Sequence, residues 1–254
     1  MNQMRLQWTY TGQVEAMHQS YNKDMQKTAM MNRITFLRSN SLFQGLSDET
    51  LRYLAAQSRP CVFRVGETVF YQGDIGSTCH IIVRGRLRIF VVGEDGRELS
   101  VRILGPGEIV GEMALFEDLP RSADVEALEE SHTLELHRDV LLESLQQSPA
   151  MALSLLKDLS ARLRYATEKA EGLASLTVPE RLMRCFQQLA SWCGKPRPDG
   201  VRIMLPLTQR ELATLVGASR ESVNRALAQL RRQNKVCLEE GWIVLLNRID
   251  DEKK

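Results

Sequence analysis

The string Gly111-Glu112-Met113-Ala114-Leu115-Phe116-Glu117-Asp118-Leu119-Pro120-Arg121-Ser122-Ala123 sets groups of opposite charge around one short segment. Gly111 lets a backbone come close to a bound group. Met113 to Phe116 can open a helical turn whose free N–H groups attract an anion. Arg121 offers a forked cation to phosphate oxygens, and Ser122 adds a hydroxyl beside it. Glu112 is the odd member, because a carboxylate near an anion is repelled unless it accepts hydrogen bonds from hydroxyls on the same ligand. A sugar phosphate satisfies both residues, whereas inorganic phosphate satisfies only Arg121. The plainer reading is a surface ion pair between Glu112 and Arg121, with Gly111 and Pro120 punctuating two strands.

A second constellation lies near the C-terminus. Thr208-Gln209-Arg210-Glu211 has the spacing of a capping box and opens a short helix. Gly217-Ala218-Ser219 breaks that helix, and Ser219 can cap another. In the second helix Val223, Ala226, Leu227 and Leu230 form an apolar stripe, while Glu221, Asn224 and Arg225 share the other face with Arg220 at its leading end. Two helices joined by a tight turn, the second presenting polar side chains, describe a helix-turn-helix. Arg225 can pair with a guanine edge, Glu221 can accept from a cytosine amine, and Arg220 can read a base or hold a phosphate. Thr208 and Gln209 sit at a helix start suited to phosphate contact. Lys235 to Glu239 and Trp242 to Leu246 flank Glu240-Gly241 as a hairpin, the wing of a winged helix.

The elements that must position these groups follow from patterning. A chain of 254 residues can hold two moderate domains, and a formal net charge of +1 means that any nucleic-acid contact comes from a local patch. No run of eighteen apolar residues and no signal-peptide pattern is present, so the expectation is a cytoplasmic protein without membrane contact. The five scattered cysteines fit reduced thiols, and the four histidines suggest no metal site. Residues 1–35 are polar and Met-rich and read as a poorly ordered extension, with Met30 or Met31 as a candidate translation start. A helix capped by Ser47 follows over Leu46 to Ala56. From Cys61 to Leu136, short apolar runs separated by glycine turns predict an antiparallel barrel or double-layered roll, interrupted by the Gly111 segment. Ala152, Leu156, Leu159, Leu163, Ala166, Ala170 and Leu173 fall at heptad intervals, which predicts a long helix that pairs with a second copy. Lys157, Asp158, Arg162, Arg164, Glu168 and Lys169 read as its solvated flank. Thr177-Val178-Pro179-Glu180 then makes a capped hinge into a helix over about Val178 to Cys193.

Taken together, these residues resemble the CRP/FNR family of bacterial transcription regulators. The Gly-Glu, Pro-Arg-Ser-Ala string matches the family's phosphate-binding cassette, and Arg220-Glu221-Ser222-Val223-Asn224-Arg225 matches its recognition-helix pattern. The resemblance covers about 36 to 248 and lies with the cyclic-AMP-responsive branch. It implies an α+β fold: residues 36–148 as a jelly-roll-like cyclic-nucleotide-binding β-roll, 149–176 as a dimerisation helix, 177–248 as a winged helix-turn-helix, and 249–254 as a polar tail. It implies a ligand site of Gly111, Glu112, Met113, Arg121, Ser122 and Thr167, with Glu112 on the ribose hydroxyl and Arg121 with Ser122 on the cyclic phosphate. Where the family carries a Thr-Ser pair against the adenine, this chain has Ala166-Thr167, so only Thr167 can donate a hydroxyl there. The DNA set is Thr208, Gln209, Ser219, Arg220, Glu221, Asn224 and Arg225, reading a TGTGA-like half-site twice in a homodimer with centres roughly 34 Å apart. Implied partners are double-stranded DNA, cyclic AMP, a second copy and RNA polymerase. Cyclic GMP, a cyclic dinucleotide or no ligand at all are the alternatives to cyclic AMP. No cysteine precedes Cys61, so the iron-sulfur branch of the family is not matched. A nucleotide-regulated enzyme is the rival class, but the cassette, long helix and winged helix leave no catalytic constellation.

Overall fold

A computed structural model describes residues 30–239 and 241–246. Most of the N-terminal extension, Glu240 and the polar tail lie outside the described residues. Residues 30–39 form a helix, α1, so the last part of the expected extension is structured. The reason is burial: Ile34 and Leu37 enter a core shared with Phe43, Leu51 and Leu54. Helix α2 (Asp48–Gln57) is capped as expected, Ser47 accepting from Thr50 N at 3.1 Å.

Eight strands follow: β1 (Arg59–Phe63), β2 (Thr68–Phe70), β3 (Thr78–Arg84), β4 (Leu87–Val92), β5 (Glu98–Leu104), β6 (Ile109–Val110), β7 (Asp124–Ala127) and β8 (Ser131–His137). They form two four-stranded antiparallel sheets, ordered β1-β8-β3-β6 and β2-β7-β4-β5. Ile82, Leu87, Leu104, Val110, Val125 and Ala127 fill the space between the sheets, which is the double-layered roll expected from the short strands. A short helix, α3 (Met113–Glu117), stands between β6 and β7.

Helices α4 (Arg138–Gln147) and α5 (Pro149–Ser175) leave the roll. Met151 and Leu155 of α5 join the α1–α2 core, and Gly172 is buried further along. Leu156 and Leu163 of the heptad rows are 60% and 69% exposed, while Leu159 and Leu173 are half-buried. The seam therefore sits at the border between the face packed on the roll and the face left open. Arg162 and Lys169, read as a solvated flank, instead point inward. Lys169 Nζ donates to Ser100 O at 2.5 Å, and Arg162 is bonded into the roll.

The C-terminal domain comprises α6 (Val178–Cys193), β9 (Gly194–Arg197), β10 (Gly200–Ile203), α7 (Gln209–Val216), α8 (Arg220–Arg232), β11 (Val236–Glu239) and β12 (Trp242–Leu246). Leu182, Phe186, Leu212, Val223, Leu227, Val236 and Ile243 make its core. The stretch read as turn-rich, Gly194 to Gly200, is a β-hairpin that extends the wing into a four-stranded sheet ordered β11-β12-β10-β9. Paired backbone across Gly194–Ile203 outweighs the turn-prone composition of Pro196, Pro198 and Gly200, the two prolines being compatible with the edge and the turn. No helix among the described residues is long and apolar enough to cross a membrane.

Candidate functional site

Two features force the Gly111 segment into shape. Gly111 has φ +85°, and a Cβ there would lie 2.6 Å from Arg121 Nη1, so both backbone conformation and close approach require glycine. Gly76, on the loop before β3, is pressed against the same side chain: its Cβ would meet Arg121 Cζ at 2.5 Å. Arg121 is thereby clamped between two strips of backbone. Its Nη1 donates to Gly111 O at 2.5 Å, its Nη2 to Thr78 O at 2.6 Å, and the guanidinium lies 4.2 Å from the Phe70 ring centre.

Glu112 and Arg121 are 2% and 6% exposed, and they do not bond to each other. The surface ion pair is therefore not what this sequence forms. Glu112 instead accepts from Arg162 Nη1 of α5 at 3.0 Å, while Arg162 Nη2 reaches Asp158 Oδ2 and Ile109 O, each at 2.7 Å. Burial pushes the Glu112 carboxyl up from its ordinary value, and the charge of Arg162 works against that shift. A buried carboxylate and a buried guanidinium, each held by other groups, leave their remaining hydrogen-bonding capacity facing one cavity.

That cavity has a volume of about 620 Å³. Gly111, Glu112, Met113, Arg121 and Ser122 line it on one side, Phe70, Ile89, Val91 and Val101 on another, and Arg162, Leu159, Leu163, Tyr165 and Ala166 of α5 close it. A charged edge with an apolar body suits a ligand that has an anionic sugar end and a flat apolar end. Thr167 is not among the lining residues; it is exposed and its hydroxyl donates to Leu163 O at 3.0 Å. Arg162, Phe70 and Gly76 escaped sequence reasoning. Arg162 was legible only as one charge among several on α5, and its role depends on which face of that helix meets the roll.

The second site is built differently. Thr208 caps α7, accepting from Glu211 N at 3.2 Å, and Glu211 returns to Thr208 N at 2.6 Å. Gly217 ends α7 in the left-handed region at φ 59°, and Ser219 caps α8 by accepting from Ser222 N at 3.2 Å. Val223, Ala226, Leu227 and Leu230 are buried against α6 and α7. Thr208, Gln209, Ser219, Arg220, Glu221, Asn224 and Arg225 are all exposed. Arg225 Nη2 rests on Ser222 Oγ at 3.1 Å, and no ion pair among the described residues engages Arg220, Glu221 or Arg225.

A roll whose cavity holds a buried guanidinium and a buried carboxylate, a long helix closing it and a helix-turn-helix with an open polar face define a ligand-sensing DNA-binding regulator. Residues 60–148 match the cyclic nucleotide-binding domain family and residues 180–249 the Crp-like helix-turn-helix domain. The chain is 34% identical over 206 residues to the CRP-like cAMP-activated global transcriptional regulator of Mycobacterium tuberculosis, covering 81% of this chain and 92% of that one. It is 30% identical over 207 residues to the cyclic AMP receptor protein of Thermus thermophilus, covering 82% and 93%. Among solved structures, the c-di-GMP responsive global regulator CLP of Xanthomonas campestris aligns with a TM-score of 0.68 at 30% identity, over 79% of this chain and all of that one. The chain belongs to the CRP/FNR family, close to the cyclic AMP receptor proteins, and is a cyclic-nucleotide-responsive, DNA-binding transcription regulator rather than an enzyme.

Proposed function

We propose that the effector is cyclic AMP, bound through Gly111, Glu112, Met113, Arg121 and Ser122, and that a homodimer formed along α5 reads a palindromic TGTGA-like site through Arg220, Glu221 and Arg225. The observation that carries the ligand half is the cavity itself: Glu112 and Arg121 are both buried, both turned to the same space, and not bonded to each other. A cyclic phosphate answers Arg121, and a ribose hydroxyl can donate to Glu112 beside Arg162. The exposed leucines 153, 156 and 163 of α5 are the surface that a second copy would cover. Thr167 shares that exposed face, so in such a dimer its hydroxyl serves the partner's ligand rather than its own chain's.

Ligand wedged between the roll and Arg162 then favours one packing of the two long helices, and α6 carries that choice through Thr177 to α8. Such coupling is typically worth about 1 to 3 kcal/mol, a change of roughly 5- to 150-fold in DNA affinity. RNA polymerase is the expected downstream partner. Because Ala166 stands where a hydroxyl would help select adenine, a different effector is the second reading, and the c-di-GMP responsiveness of the Xanthomonas relative gives it a specific form. A mobility-shift assay on a symmetric TGTGA-type site tests both, with cyclic AMP, cyclic GMP and cyclic di-GMP in parallel. Tightening by cyclic AMP alone supports the proposal. Tightening by another compound replaces the effector, and full binding without any compound removes it.

A further inference from the structure

Strands β4 and β5 are read on both faces. Ile89, Val91 and Val101 point into the ligand cavity. Arg88, Glu98 and Ser100, offset by the two-residue alternation of a strand, point away from it towards the DNA-binding domain. Arg88 is 4% exposed, and its partners come from both domains. Its Nη2 pairs with Glu98 Oε2 at 2.7 Å and Glu126 Oε1 at 2.8 Å, and its guanidinium stacks 4.2 Å from the Phe90 ring centre. Its Nη1 donates to Ser100 Oγ at 3.3 Å and to Thr214 Oγ1 of α7 at 3.1 Å. Ser100 Oγ and Thr214 Oγ1 are themselves 2.8 Å apart, and all three groups are buried. At the rim of this network, Glu98 Oε1 holds Arg210 Nη2, at the start of α7, at 3.0 Å.

The geometry gives this network a direction. A buried cation is tolerated only while its partners stay in place, so lifting α7 off the roll costs Arg88 and Ser100 a buried partner. The pairing of β4 with β5 shifts between Ile89, opposite Arg102, and Phe90, opposite Ser100, which leaves Val101 as a bulge. The bulged residue lines the ligand cavity, and its immediate neighbour Ser100 holds α7. The same contact takes Arg210, the cation beside the exposed Thr208 and Gln209, into a pair with Glu98. Docking therefore sets the carboxylate of Glu98 against the exposed cation at the start of α7.

We propose that Arg88 is a positioning residue which, through Ser100 and Thr214, latches the DNA-binding domain onto the outer face of the strands whose inner face lines the cavity, and that bound ligand acts by loosening this latch. The second half rests on the cyclic-nucleotide reading above; the latch itself does not.

The test is Thr214→Val in the full chain, which removes the bridging hydroxyl, along with its bond to Glu211 O, at nearly the same side-chain shape and leaves Arg88 its two carboxylates. The expected result is ligand-free affinity for the specific site raised by about 5-fold or more, with affinity at saturating cyclic AMP changed less than about 2-fold, so that the ratio of the two shrinks. Amide hydrogen exchange in β5 and α7 of the ligand-free protein is expected to speed up. Thr214→Ser, which keeps the hydroxyl, should retain the wild-type ratio. A lowered melting temperature with an unchanged ratio would make the network merely structural and overturn the proposal, as would a fall in ligand-free affinity. If no cyclic nucleotide alters DNA binding by the wild-type protein, the effector reading fails, and the latch is then judged on ligand-free affinity and exchange alone.

Discussion

The cavity closed by α5 and the exposed face of α8 use similar side chains in opposite ways. In the cavity, Arg121 and Glu112 are buried and Arg162 is half-buried, and each is committed to backbone carbonyls or to another charge. On the recognition helix, Arg220, Glu221 and Arg225 are exposed, and the apolar stripe beneath them fixes their position. Buried charges can be felt at a distance because moving one disturbs all its partners; exposed charges on a rigid helix act alone. A sensor benefits from the first arrangement and a base reader from the second. Mutations in the cavity should therefore be large and coupled, and mutations on the helix smaller and independent.

The sharpest test of that contrast is Arg121→Leu. Removing one partner from a buried charged contact typically costs about 3 to 5 kcal/mol, which is two orders of magnitude or more in ligand affinity. Calorimetry with cyclic AMP should show this loss, while DNA binding without ligand stays at its basal level. Undiminished nucleotide affinity would remove Arg121 from the site. A second consequence of burial is acid sensitivity confined to the roll. His80 is buried beside Thr133, and burial pushes its pKa down to about 4, against the pull of Glu135. The folded roll keeps His80 neutral where the unfolded chain binds a proton. Stability therefore falls as pH drops from about 6.5 to about 4, by on the order of 3 kcal/mol from this group. Urea denaturation at the two ends of that window should show His80→Gln losing less stability than the wild type; parallel curves would mean that His80 is not the titrating group.

The same contrast explains what was legible in the sequence. Local signals were: Ser47, Thr208 and Ser219 cap the helices whose starts they mark, and the recognition stripe Val223-Ala226-Leu227-Leu230 is buried as its spacing requires. The segment from Gly111 to Ser122 is also local, because its groups are brought to one cavity by the short helix α3 and the loop that follows it. What escaped was contact across the chain. Arg162 meets Glu112 from fifty positions away, and Arg88 meets Thr214 across the domain boundary. Neither carries a spacing signal, since their meeting depends on how α5 and α7 lie on the roll. The heptad rows of α5 were visible, but a repeat alone cannot say which side belongs to the chain's own roll. Arg162 and Lys169 point inward because α5 lays that side against the roll, where they bond Ile109 O and Ser100 O.

On the DNA side, Arg225→Ala should cost about 1 to 3 kcal/mol on the specific site and relax one base position, with the melting temperature unchanged. Equal loss on random DNA would assign Arg225 to a phosphate instead. The smallest effect separates two duties of one hydroxyl. Thr208 Oγ1 accepts from Glu211 N, which leaves its own proton free for a phosphate oxygen. Aspartate is as good a cap as threonine but repels phosphate. Thr208→Asp should therefore keep stability within about 0.5 kcal/mol while weakening binding to specific and random DNA alike by roughly 1 kcal/mol. Thr208→Ala should lose about 1 kcal/mol of stability and part of that affinity as well. If Thr208→Asp binds both DNAs as the wild type does, the start of α7 does not touch the backbone, and recognition rests on α8 and the wing.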